Sequence, residues 1–98
     1  MTNKTLTIRR SDVADSGALA RLAALDSSSA LTGVALVAEV GHELWAAVEI
    51  DTGSAIADPF RPSADLVDLL RLRVEHMRRQ STGQRRRLAS LLPRPRAA

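Results

Sequence analysis

The chain has 98 residues, 45% of them apolar, and a net charge of +3, which allows one small core and leaves little for a second module. It has no Cys, excluding a disulfide framework, a thiolate metal site and a thiol nucleophile, and a reducing compartment fits. The opening MTNKTLTIRR has no apolar signal core, and the longest apolar run, Val34 to Val40 with Glu39 inside it, is too short to span a bilayer. The expectation is a cytoplasmic protein with no transmembrane segment.

Thr5 to Arg9 alternates Leu6 and Ile8 with polar residues and predicts a first strand with one apolar face. Ser11 and Asp12 supply a helix start. From Val13 to Leu25 the residues Val13, Ala18, Leu19, Leu22, Ala23 and Leu25 follow helical spacing, with Asp12 and Asp15 near the positive end of the helix dipole. SSSALTG, 27–33, reads as a loop rich in turn formers.

Val34 to Val40, then Gly41-His42, then Glu43 to Ile50 predicts a tight hairpin: two β-prone runs separated by two residues with Gly first. Alternation puts Leu44, Ala46, Val48 and Ile50 on one face of the second run and Glu43, Trp45, Ala47 and Glu49 on the other. Trp45 then packs under a helix or anchors an interface. After the turn Asp51-Thr52-Gly53, Ser54 to Asp58 makes a fourth strand. As the edge of the sheet it would favour a homodimer or docking to another protein, with Asp58 and Pro59 guarding it.

Pro59-Phe60-Arg61-Pro62 closes the sheet region. Ser63 caps a helix running to about Gln80, whose buried stripe is Leu66, Leu69, Leu70, Val74 and Met77. Ser81-Thr82-Gly83 is expected to break that helix, leaving QRRRLASLL to form a turn or two before the extended PRPRAA. The division is thus a domain over 1–80 and a basic Arg/Pro-containing tail over 81–98.

Charge divides the same way. Residues 1–70 carry five basic and ten acidic side chains, and residues 71–98 carry nine Arg and one Glu. Arg71, Arg78, Arg79, Arg85, Arg86 and Arg87 are candidates for contact with an acidic partner, and Leu88, Leu91 and Leu92 for the apolar side of that contact. Phosphate contacts to nucleic acid are an alternative, although neither aromatic residue, Trp45 nor Phe60, lies in the basic segment to stack on bases. His42, Glu43 and Glu49 lie in or beside the hairpin, but a proton-transfer role needs a base and a bound substrate held together. A solvated turn residue is the better reading of His42. With His76 as the only other histidine, no ligand cluster for a metal is apparent.

TIRRSDVADSGALARLAALD, 7–26, and LVAEVGHELWAAVEI, 36–50, resemble the first strand and helix and the central hairpin of the GNAT (Gcn5-related) N-acetyltransferase family. The order strand, helix, hairpin, short strand, proline-containing turn, helix resembles the first two-thirds of that family over residues 5–75. The resemblance implies an α+β domain with a mostly antiparallel four-stranded sheet. It also implies an acetyl-CoA pyrophosphate turn, Arg/Gln-x-x-Gly-x-Gly/Ala, at the start of the following helix. Here that position reads Arg61-Pro62-Ser63-Ala64-Asp65-Leu66. Both small positions are altered, Pro62 removes an N–H donor and Asp65 puts negative charge in the first turn. Arg61 alone matches, and the chain ends where the family supplies its last strands and the Tyr general acid. The expectation is a truncated, non-catalytic relative with no cofactor and no catalytic residues, acting by binding. The alternative is an acetyl-CoA-dependent acetyltransferase, or half of one completed by a partner chain.

Overall fold

The computed structural model describes residues 5–91, and side chains as far as residue 81. Its elements are β1 (Leu6–Arg10), a 3₁₀ turn (Val13–Asp15) running into α1 (Ser16–Leu25), β2 (Ala35–Val40), β3 (Glu43–Glu49), β4 (Ala55–Ala57) and α2 (Ala64–Leu91). The four strands form one antiparallel sheet in chain order. The class is α+β.

The sheet is covered on both faces. Leu22 and Ala23 of α1 bury against Ala35, Val37, Leu44, Ala47 and Ile56, with Leu19 and Leu31 packed beside them. On the other face Leu70 and Val74 of α2 bury against Leu36, Ala38, Ala46 and Val48, with Ile8, Ile50, Leu66, Val67 and Met77 around them. A strand covered twice has no polar face to show, so β2 reads as a near-continuous apolar run. Val13, expected in the α1 stripe, is 91% exposed, because the 3₁₀ turn that precedes α1 rotates it out of the helical repeat.

Local chemistry sets the start of the 3₁₀ turn and the end of α1. The Asp12 carboxylate accepts the Ala14 N–H at 2.9 Å and the Asp15 carboxylate accepts the Asp12 N–H at 2.7 Å, a capping box. At the other end the Ser28 N–H donates to Ala23 C=O and the Ser27 N–H to Ala24 C=O, with Ser27 at φ 53°. That is a Schellman closure with serine where glycine costs least. The hairpin turn is as expected, Gly41 taking φ 68° between β2 and β3.

The expected alternation along β3 fails at one residue. Ala38 pairs with Ala46 and Glu39 with Leu44, so Trp45 is an extra residue in β3, a bulge. Leu44 therefore belongs to the α1 side with Ala47, while Ala46, Val48 and Ile50 keep the α2 side. The four residues expected to share one face are divided three to one.

Two corrections concern α2. It does not break at Ser81-Thr82-Gly83 but runs unbroken through them to Leu91. One Gly costs about 1 kcal/mol and Ser and Thr less, while the flanking Arg, Gln, Leu and Ala are favourable. No Pro occurs between Pro62 and Pro93 to stop the helix. In the buried stripe, Leu69 is 37% exposed, and Val67 takes the place expected for it. PRPRAA and Leu92 lie outside the described residues.

Candidate functional site

The junction between β4 and α2 is organised by Asp58, a buried carboxylate. Its N–H donates to the C=O of the bulged Trp45 at 2.9 Å, and its Oδ1 accepts the Phe60 N–H at 2.8 Å. Its C=O accepts both the Arg61 N–H at 3.2 Å and the Ser63 hydroxyl at 2.9 Å. An Asx turn and a side-chain latch thus hold the chain where Pro59 and Pro62 offer no N–H of their own. Asp58 was expected to guard the strand edge; its burial shows it building the turn instead.

Ser63 stands at the predicted helix start, where its C=O accepts the Val67 N–H at 3.0 Å. Its hydroxyl is directed back to Asp58, so the side chain fastens the turn to the helix. Around this start lies an open hollow of about 360 Å³ lined by Pro59, Arg61, Pro62, Ser63, Ala64 and Asp65. Asp65 is exposed in the first turn of α2, where it complements the helix dipole. A phosphate approaching the same helix end would meet that carboxylate first.

Arg61, the weak cofactor-binding candidate, is held locally. Its guanidinium lies 3.3 and 3.4 Å from the two Glu43 carboxylate oxygens and 5.3 Å from the centroid of the Trp45 ring. Arg21 of α1 reaches the same carboxylate at 3.4 Å. Glu43 therefore joins α1, β3 and the Asp58 turn, with Arg61 stacked on the half-buried Trp45. Trp45, expected beneath a helix or at an interface, sits at the bulge under this cation. A ligand taking Arg61 must displace a carboxylate and a ring.

The remaining hairpin candidates do not converge on Glu43. His42 is exposed at the turn. Glu49 is buried at the far end of β3, where its carboxylate accepts the Thr52 hydroxyl at 3.1 Å. It also passes so close to Gly33 that a Cβ there would lie 2.6 Å from Glu49 Oε1. Glu49 thus holds the turn after β3, and the loop before β2 passes beside it at Gly33. His76 is exposed on α2. Among the described residues no group of three or more His, Asp or Glu is arranged to hold a metal ion, and no helix is long and apolar enough to cross a membrane.

One ion-pair network was not foreseen. Arg9 of β1 donates to both Asp15 oxygens at 2.8 Å and to Glu39 Oε2 at 3.2 Å. The bidentate Arg9 contact, with the Asp12 N–H behind it, lowers the Asp15 carboxyl to about 2. The same contacts hold Arg9 well above its ordinary value. The spacing Asp12-x-x-Asp15 was visible in the sequence; that β1 aims Arg9 at it was not.

The edge strand is also blunted. β4 has three residues, and the outward Ala57 N–H donates to Asp26 Oδ2 at 3.2 Å. A carboxylate from the end of α1 thereby occupies a donor that an added strand would need.

The partner-binding candidates on the Arg-rich side all fall on α2 or just beyond it. Arg71, Arg78 and Arg79 are exposed. Arg85, Arg86, Arg87, Leu88 and Leu91 occupy helical positions whose side chains lie outside the described set. Met77 is the last described side chain seated on the sheet, and Arg78, Arg79, Gln80 and Ser81 are all exposed. A helix of 28 residues is about 42 Å long. The seven-residue β3 spans about 23 Å, so α2 outruns the sheet it covers.

No family model, curated protein or solved structure matches the chain.

Proposed function

We propose that the chain is a GNAT-like binding protein that works without catalysis, using the arginine-rich second half of α2 to engage an acidic protein. The observation that carries this is the position of those arginines. They stand on one continuous helix that runs on past the sheet. Arginine makes directed, two-pronged contacts to carboxylates.

The β4–α2 junction supports the non-catalytic part. The Ser63 hydroxyl is bonded to Asp58, Arg61 is bonded to Glu43, and Asp65 opposes an anion at the helix start. Acetyl-CoA is therefore not expected to protect the protein against thermal unfolding, whereas a bound cofactor would raise its midpoint.

The test is affinity capture from native lysate with the full chain and with Arg79→Gln/Arg86→Gln/Arg87→Gln, each with and without nuclease. Capture of acidic proteins that survives nuclease and is lost in the variant upholds the reading. Equal capture by both forms overturns it, and capture abolished by nuclease replaces it with a nucleic-acid surface.

A further inference from the structure

The ten carboxylates of residues 1–70 do not make a diffuse acidic surface. Asp15, Glu49 and Asp58 are buried, and Asp26, Glu39 and Glu43 are half-buried with hydrogen-bonding partners. Asp12 is exposed but caps the turn before α1, and Asp51 is exposed in the turn after β3. The two that remain, Asp65 and Asp68, lie on α2 with the nearby Glu75, facing away from the Leu70–Val74 stripe.

That outward face has a charge polarity along its length. At 3.6 residues per turn, positions 65, 68, 69, 72, 75, 76, 79, 83, 86, 87 and 90 share the side opposite the buried stripe. Read in order they are acidic at 65, 68 and 75 and basic at 79, 86 and 87. Glu75 and Arg79 meet at the change of sign, 3.7 Å apart, in a solvent-exposed pair that holds neither side chain firmly. Leu72 is 62% exposed and Leu69 37% exposed on the acidic half, and Gly83 lies on the basic half. A shallow hollow of about 310 Å³ is lined here by Asp68, Arg71, Leu72 and Glu75. A face that runs from negative to positive is complementary to itself when turned end for end.

We infer that the acidic partner of the arginine-rich half is a second copy of this chain, the two α2 helices packing antiparallel through their outward faces. This rests on the reading that the basic half of α2 recognises acidic protein. With the two-fold axis between residues 77 and 78, Asp68 comes opposite Arg87 of the other copy, Glu75 opposite the stretch 79–80, and Leu72 opposite Gly83. The contact is isologous, so each pair occurs twice and the assembly closes at two. Parallel packing would set like charge against like. The β4 edge plays no part, in keeping with the Ala57 N–H already taken by Asp26.

The experiment is a charge swap on the purified full chain, read by sedimentation equilibrium. One variant is Asp68→Arg/Glu75→Arg and the other Arg79→Glu/Arg87→Glu. Asp68, Glu75 and Arg79 are exposed and helical spacing puts position 87 on the same side, and an unchanged far-UV circular dichroism spectrum verifies that each variant is folded. The wild type is expected to dimerise, more weakly as salt rises from about 0.05 to about 0.5 M. Each variant alone should dimerise at least about tenfold more weakly. Mixed one to one, they should form a heterodimer, because every opposed pair between the two chains then has one arrangement of unlike sign.

A wild type that is monomeric at low salt overturns the inference, as do variants that dimerise like wild type or a mixture that restores nothing. A monomeric chain that still captures acidic proteins through its arginines leaves the binding reading standing and sinks self-recognition. Restoration in the mixture, with lysate capture indifferent to the arginines, upholds self-recognition and removes the foreign partner.

Discussion

Acid should weaken this protein through Asp15 in a way that a single substitution isolates. The Asp15 carboxyl falls from an ordinary 3.8 to about 2 in the folded chain, because Arg9 contacts both its oxygens and the Asp12 N–H donates to it. Lowering a pKa by one corresponds to about 1.4 kcal/mol, and Arg9 is a third exposed, so solvent screening brings the contribution to between about 1 and 2 kcal/mol. Because the folded value lies below the unfolded one, the stabilisation is complete above about pH 5 and is lost as pH falls toward about 2. Asp15→Asn keeps an oxygen that can accept the Asp12 N–H and removes the charge. Urea unfolding followed through Trp45 fluorescence should show wild type ahead of the variant by about 1 to 2 kcal/mol at about pH 7. By about pH 2.5 the gap should shrink to roughly a third. A gap equally wide at both pH values would refute an electrostatic origin and assign the loss to altered packing or capping.

Three other substitutions probe the fold. Leu70→Ala removes a fully buried side chain from the α2 face of the sheet and should cost about 2 to 5 kcal/mol by urea unfolding. Ser27→Gly relieves the left-handed residue closing α1 and should raise stability by about 0.5 kcal/mol, seen as a higher thermal midpoint. Gly83→Ala should deepen the 222 nm circular dichroism signal and stabilise the helix by up to about 1 kcal/mol. A helix ending at Gln80 would give no such change.

The parts of the fold legible in the sequence are those with a local cause. Gly41-His42 between two β-prone runs specified the hairpin, and Asp12 specified where the first helical segment starts. The bulge was not legible: Leu44, Ala46, Ala47 and Val48 are all apolar, so both faces of β3 look alike and one extra residue leaves no gap in the pattern. The continuation of α2 was hidden for a different reason. Ser81-Thr82-Gly83 contains three weak helix formers, and their cost has to be summed against the favourable residues on both sides before its smallness is apparent. At the site, Arg61 was a weak cofactor candidate because it alone matches the first position of the resembled pyrophosphate motif. Its pairing with Glu43, 18 residues away, depends on how the Asp58 turn returns the chain toward the hairpin, which no short motif encodes.

Net charge was the most misleading guide. The sequence divides into an acidic body and a basic end, yet folding buries or pairs most of the body's carboxylates: Asp15 with Arg9, Glu43 with Arg21 and Arg61, Asp58 in its turn and Glu49 against Thr52. Of the acidic side chains left exposed, Asp12 and Asp51 sit in turns, while Asp65, Asp68 and Glu75 share one face of α2 and precede the arginines. The division between body and tail thus becomes a polarity within α2, and that helix carries both halves of a complementary pair at a fixed separation. A flexible basic tail would accept any acidic surface. Under the proposed self-recognition, a helix with its own acidic half favours a partner with the same spacing, which a second copy of the chain would supply.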